Sequence, residues 1–447
     1  MWGCHMLFSN RDLSKLIIPL LLQQALSVTV GMLDSVMVSS AGEAAVSGVS
    51  LVDTVNLLLL YLFSALANGG AVTISQSIGS KDHKRAKEYA KQLLWVVFAA
   101  AILLACIAVT FRGPLLSLIF GSISAEIMEN AQIYFLFTAM SYPFIGLYNA
   151  CAAIFRAQGN SKISLYTSLA MNLINICGNA LLIYVFHWGA AGAAIATLFA
   201  RMVGSAVILR CVCSPKNPLV VENPLHFRPQ WPLIKKICQI GIPNGIENGM
   251  FQFGKVITQS LISTYGVVQI AANAAANPLT SLQYVPGTAI GFAMTVIVGR
   301  CIGAGKQDQA KYYTKKLMVL GYLSIIAVAV PMAVFARPLV GLYQISDAAS
   351  TQAVQLLILH TIMVSTVWPL AFKLPNSFRA ASDVKYPMII SIASMWIFRV
   401  GLSFVFGNAL GLGILGVWLA MGCDWTFRAI VFTVHYLRGK WLLKYQT

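Results

Sequence analysis

A chain of 447 residues that is 58% hydrophobic and only 10% charged, with a mean hydropathy of +0.75, lies outside soluble globular composition and inside the polytopic membrane class. Its formal net charge of +17 would fit a nucleic-acid partner only if the basic residues clustered on a folded polar surface. They lie instead in short gaps between apolar runs. No His-rich metal motif, serine elbow or glycine-rich phosphate loop is present, so no enzyme chemistry is expected.

Apolar runs of 18 or more residues predict helices near 13–39, 45–78, 93–111, 131–153, 163–186 and 189–211. A second set of six follows near 241–264, 267–300, 317–336, 351–374, 387–408 and 412–436. The first run is too long for a signal-peptide core and has no small-residue cleavage site, so it reads as an uncleaved first span. With both termini cytoplasmic, 24 Lys and Arg residues fall in inner segments, including Lys81, Lys84, Arg85, Lys87 and Lys91 and their counterparts Lys306, Lys311, Lys315 and Lys316. Outer connections carry only Arg112 and Arg337, which fits the positive-inside rule. A multi-pass protein of the inner (plasma) membrane is expected. The nine cysteines follow no disulfide or metal spacing and read as small buried hydrophobes.

The proline-rich stretch 214–232 reads as a cytoplasmic linker between an N-terminal lobe, 1–213, and a C-terminal lobe, 233–447. The second lobe repeats the first about 224 residues later. IGSKDHKRAKEYAKQL (78–93) aligns without gaps on IGAGKQDQAKYYTKKL (302–317), FRAQGNSK (155–162) on FRAASDVK (378–385), and Gly189, Gly192 and Ala196 on Gly413, Gly416 and Ala420. Six spans per copy make both copies enter the membrane in the same direction. The expected fold is therefore all-α, with twelve transmembrane helices in two six-helix lobes related by a pseudo-twofold axis along the membrane normal, the parallel-repeat plan of secondary transporters.

Polar residues at membrane depth mark the candidate sites. Asp34 on the first span, Asp53 on the second, Asn175 and Asn179 one turn apart on the fifth and Thr197 on the sixth reach one level in the outer half. Carboxylates beside amides and a hydroxyl suit a hard cation such as Na⁺, and a partly desolvated carboxylate suits a proton. Mutual satisfaction between packed helices is the alternative for the amides and hydroxyl. On the seventh span Glu247 follows Pro243 by one turn, with Asn248, Gln252 and Lys255 beyond it, as substrate contacts or a structural charge pair. Arg399, Asp424 and Arg428 read mainly as an internal ion-pair network. Met32, Tyr61, Phe251, Phe253, Tyr284, Met294 and Trp396 are candidates for an apolar or cation-binding wall, through π faces and soft thioethers, with lipid contact and helix packing as the alternative.

MLDSVMVSSAGEAAVSGVSL (32–51), SQSIGSKD (75–82), FRAQGNSK, GIPNGIENGMF (241–251) and RAASDVKYP (379–387), in this order and duplicated, resemble the multidrug and toxic compound extrusion (MATE) family over essentially the full chain, most closely its bacterial DNA-damage-inducible type branch. The resemblance implies antiport, an organic cation or other amphipathic compound leaving as H⁺ or Na⁺ enters, with no other cofactor. It implies that Asp34 is the first-helix coupling acid and that Asn175, Asn179 and Thr197 complete a first-lobe site, Asn179 standing where archaeal-type members carry an aspartate. In another branch a glutamate lies two turns beyond the seventh-helix proline; Phe251 occupies that place here, which favours first-lobe coupling. Small amphipathic substrates, the lipid bilayer and no nucleic acid are the expected partners of a monomer. A flippase for a lipid-linked precursor is the second reading, for which Arg201, Lys255, Lys373, Arg399 and Arg428 are the basic candidates.

Overall fold

In the computed structural model of the chain the described residues are 6–40, 42–121, 124–221 and 228–445. Ala41 and residues 222–227 of the expected linker, with the side chains of Glu43, Lys444 and Tyr445, lie outside them. The described chain is almost wholly helical. In hydrocarbon every backbone N–H and C=O has to find its partner within its own segment, and a helix achieves this.

The first half runs through α1 (Asn10–Ser39), α2 (Glu43–Gly79), α3 (His83–Thr110), α4 (Arg112–Phe120), α5 (Ala125–Met140), α6 (Tyr142–Ala157), α7 (Ser161–Asn179) with a π-helical continuation at Ala180–Val185, and α8 (Gly189–Val212). The second half comprises α9 (Trp231–Ser263), α10 (Val267–Gly303), α11 (Gln307–Val334), α12 (Ala336–Gly341), α13 (Asp347–Thr366), a π-helical turn at Pro369–Lys373, α14 (Pro375–Ala380) and α15 (Lys385–Ser394). π-Helical segments at Met395–Gly401 and Val405–Ala409 flank the single turn α16 (Leu402–Phe404), and α17 (Gly413–Arg438) closes the set. Ten of the helical stretches are long and apolar enough to cross a membrane. The other two expected spans fall on α5–α6, which is broken at Ser141, and on α9, which carries Pro243, Glu247 and Lys255.

The repeat is visible in the backbone. Residues 43–79 and 267–303 form 37-residue helices, each entered through a glycine in a left-handed conformation, Gly42 at φ 101° and Gly266 at φ 97°. Residues 83–110 and 307–334 match in the same register of 224, as do the left-handed Gly189 (φ 50°) and Gly413 (φ 55°). Between these anchors the register is briefly 223, at Phe155 and Phe378. The π-helical segment Met395–Gly401 supplies the missing residue, since a π-turn is a one-residue insertion into an α-helix.

By their contacts the residues form two compact units, one from Asn10–Gly245 and the other from the rest of the described chain. The first has a core that includes Phe63, Leu93, Val97, Phe135 and Tyr142. Within it α2 and α9 approach closely at glycines: a Cβ on Gly69 would meet Ile237 O at 2.7 Å and Gly241 N at 2.8 Å. Backbone cannot yield as a side chain can, so Gly69→Ala is expected to cost about 1–3 kcal/mol, read as a lower unfolding temperature of the purified protein. An unchanged transition would show that the helix pair shifts at no cost.

The second unit has its own core, built around Leu356, Leu357, Trp368, Trp418 and Trp425. Buried Gln283 ties α10 to α13, its Nε2 donating to Thr361 Oγ1 at 2.7 Å while its Oε1 lies 2.6 Å from His360 Nδ1. Residues 6–9 belong to this unit: Leu7 N donates to Gln309 Oε1 (3.0 Å), and Phe8 N to Tyr313 Oη (3.0 Å).

Candidate functional site

In the first unit, three helices, α1, α7 and α8, bring one acid and three polar side chains together. Asp34, on α1, accepts from Asn179 Nδ2 at 2.9 Å. With the Asn175 amide turned so that both its atoms are satisfied, its nitrogen lies 3.0 and 3.1 Å from the two Asp34 oxygens and its oxygen accepts from Thr197 Oγ1 at 3.1 Å. Asn175 and Asn179 share a face of α7 because they are one turn apart, and both are buried. Asn179 Oδ1 is buried with no hydrogen-bond partner. Asn172, a turn earlier, makes only a long contact to Ser168 Oγ, 3.4 Å.

Asp53 joins a different network. Its Oδ1 accepts from Tyr134 Oη at 3.1 Å and Asn56 Nδ2 at 3.3 Å, and Asn56 Oδ1 in turn accepts from Tyr142 Oη at 2.7 Å. Arg201 Nη1 donates to Ser141 Oγ at 2.7 Å. Sequence reasoning singled out Asp53 and missed Tyr134, Tyr142 and Asn56; their only signal is a polar atom on an otherwise apolar span.

In the second unit Glu247 pairs with Arg379, Oε2 to Nη2 at 2.7 Å, and Arg379 Nη1 also donates to Asn376 Oδ1 at 3.1 Å. The charge pair of Glu247 is thus with Arg379, counted in the sequence among the inner loop residues, and not with Lys255. Asn248 and Gln252 are half-buried and Lys255 is exposed. In the first unit Met32 is half-buried and Tyr61 exposed. Of the apolar wall candidates, Met294 is fully buried in helix packing and lines no accessible surface, while Tyr284 stacks on Trp368 at 5.7 Å.

Asp424 and Arg428 form the expected i, i+4 pair at 2.8 Å, joined by Ser394, whose hydroxyl donates to Asp424 Oδ1. Arg428 Nη2 also donates to Ser391 O at 2.9 Å. Arg399 departs from the expected trio: its guanidinium lies over the Phe251 ring, 5.2 Å from the centroid. Lys373 is buried and turned into the helix packing, Nζ donating to Leu317 O at 2.8 Å and Met318 O at 3.2 Å above Gly321. It is therefore withdrawn from any basic lining.

The family model MatE matches residues 19–181 and again 243–405. The curated relative YisQ of Bacillus subtilis, an uncharacterized transporter, is 28% identical over 95% of this chain and 94% of its own length. NorM of Thermotoga maritima, a probable multidrug resistance protein, is 26% identical over 97% of this chain and 93% of its own. Among solved structures, an outward-facing multidrug resistance MATE family transporter of the MOP superfamily superposes with a TM-score of 0.91 at 20% identity, over 98% of this chain and 96% of that one. At that identity the likeness bears on the fold alone.

Proposed function

Because this chain belongs to the MatE family of multi-pass membrane transporters, it is a transporter and not an enzyme, and we propose that it exports amphipathic small molecules by cation-coupled antiport. The observation that supports this reading is the Asp34 constellation: one carboxylate held by two asparagine amides, a threonine hydroxyl behind them, and an asparagine oxygen left without a partner. Amide nitrogens of Asn175 and Asn179 face the carboxylate. Turned over in place, the same amides offer oxygens, so Asn175, Asn179 and Thr197 can exchange a carboxylate-bracing role for a cation-coordinating one without moving a helix. A proton on Asp34 would serve the same end by removing the charge the amide nitrogens brace.

Binding of H⁺ or Na⁺ then shifts the equilibrium between the two access states by its differential affinity for them, and release of the exported compound follows by linkage. Membrane insertion follows from the apolar helices, and both termini are proposed to be cytoplasmic on the positive-inside count. The flippase alternative is not favoured by these relatives. The test is efflux of fluorescent probes from proteoliposomes of the purified protein under an imposed H⁺ gradient and, separately, a Na⁺ gradient. Movement driven by either supports antiport and names the ion; folded protein inert under both would overturn the coupling.

A further inference from the structure

The second unit carries an arrangement that the Asp34 site does not use. Three cations surround one aromatic ring: Arg399 at 5.2 Å, Arg428 at 5.5 Å and Lys255 at 5.6 Å from the centroid of Phe251. Arg428 also lies 5.3 Å from Phe372, which meets Phe251 edge-on at 5.7 Å. Among the described residues only Asp424 opposes them; its Oδ1 is committed to Arg428 and Ser394, and its Oδ2 is buried without a hydrogen-bond partner. Among the described residues neither Lys255 nor Arg399 has a carboxylate within ion-pair distance, although Arg399 is only 9% exposed. Beside them Trp425, packed on Phe372 at 5.6 Å, has a buried indole N–H without an acceptor.

A phenyl face attracts a cation weakly and cannot neutralise three, so the cluster holds an excess of positive charge and unmet donors at mid-span. The repeat sharpens the contrast. Arg399 stands 224 residues after Asn175, inside the π-helical segment that absorbs the one-residue change in register, and Thr258 stands 224 after Asp34. Where the first unit gathers an acid and cation-ready oxygens, the second gathers cations and donors.

The geometry points to an anion-binding site around Phe251, in which Arg399 and Lys255 hold the acidic group of an aromatic amphipathic substrate and Arg428, itself bonded to Asp424, adds its charge 5.5 Å from the ring centroid. Guanidinium and ammonium donors supply charge-assisted hydrogen bonds to a carboxylate or sulfonate, and Phe251 and Phe372 supply an apolar face for its ring system. This rests on the export reading and narrows it, from organic cations toward compounds that carry an anionic group.

The test uses two probes of one shape and opposite charge, 1-pyrenesulfonate and a pyrenyl trimethylammonium, titrated by fluorescence onto the full-length protein in lipid-free neutral detergent. The sulfonate is expected to bind about 10-fold more tightly or better, and to weaken about 10-fold in Arg399→Gln and in the same direction in Lys255→Met, while the cationic probe is unaffected. Tighter binding of the cation by wild type would overturn the site, as would sulfonate affinity unchanged in both variants. Lys255 is exposed, so Lys255→Met and Lys255→Glu decide the matter if Arg399→Gln does not fold. Displacement of the sulfonate by stoichiometric phosphatidylglycerol would overturn the exported anion in favour of a resident lipid headgroup. Sulfonate binding through Arg399 in a protein that no gradient drives would sink the coupling and leave the site standing; coupled efflux without such binding would sink the site alone.

Discussion

Asp34→Asn is expected to leave a folded, membrane-inserted protein whose gradient-driven efflux falls about 10- to 100-fold, the range that a typical coupling free energy spans. The substitution keeps the side chain's size and one oxygen for Asn179 Nδ2. It removes the negative charge that a cation would bind, and the group a proton would occupy. Asn175 contacts both carboxylate oxygens, so one nitrogen of the new amide would face another and the constellation would loosen locally. Proteoliposomes with the cognate gradient measure the effect, and equilibrium binding of the exported probe serves as the folding control. Undiminished coupled efflux in Asp34→Asn would remove Asp34 from the mechanism.

Arg428→Met is expected to have the largest effect on stability. Asp424 is fully buried and Arg428 is 1% exposed, so losing the arginine leaves a carboxylate at mid-span with Ser394 alone. Breaking a buried pair from one side costs about 3–5 kcal/mol, which corresponds to a fall of roughly 6 °C or more in the unfolding temperature of a unit of this size. The double substitution Asp424→Leu with Arg428→Met is expected to recover most of that loss, because the cost comes from the orphaned charge and not from the missing bond. Equal loss in the single and double variants would mean that the pair contributes by packing alone.

Much of this architecture was legible in the amino-acid sequence, for definite reasons. Hydrocarbon demands long apolar runs, so the spans declare themselves, and the glycines that turn the chain at 42, 189, 266 and 413 recur because a left-handed backbone tolerates little else. Asn175 and Asn179 announced a shared face by their spacing of four. Other features had no such signal. Whether Arg379 reaches Glu247, 132 residues away, or Arg399 leaves Asp424 for Phe251 depends on the rotation of each helix about its axis, and hydropathy reports burial without rotation. The π-helical turns were equally hidden. A one-residue change of register shows in the alignment of the halves at Phe155 and Phe378, but only the backbone shows that Met395–Gly401 absorbs it. Lys373 read as a basic lining residue because its sequence gives its charge and depth and not the two carbonyls above Gly321 that claim it.

The shared register of the two halves also bears on ancestry. An ancestral half that paired with its own copy had to use one set of mid-span side chains for every task. The present chain keeps the turns in common and has let the chemistry part, with Asp34 set against Thr258, Asp53 against Asn277 and Arg201 against Trp425 at the same separation of 224. A gene carrying the first half twice would therefore encode the shared glycine turns and two acidic centres, while lacking the basic one and the π-helical segment Met395–Gly401.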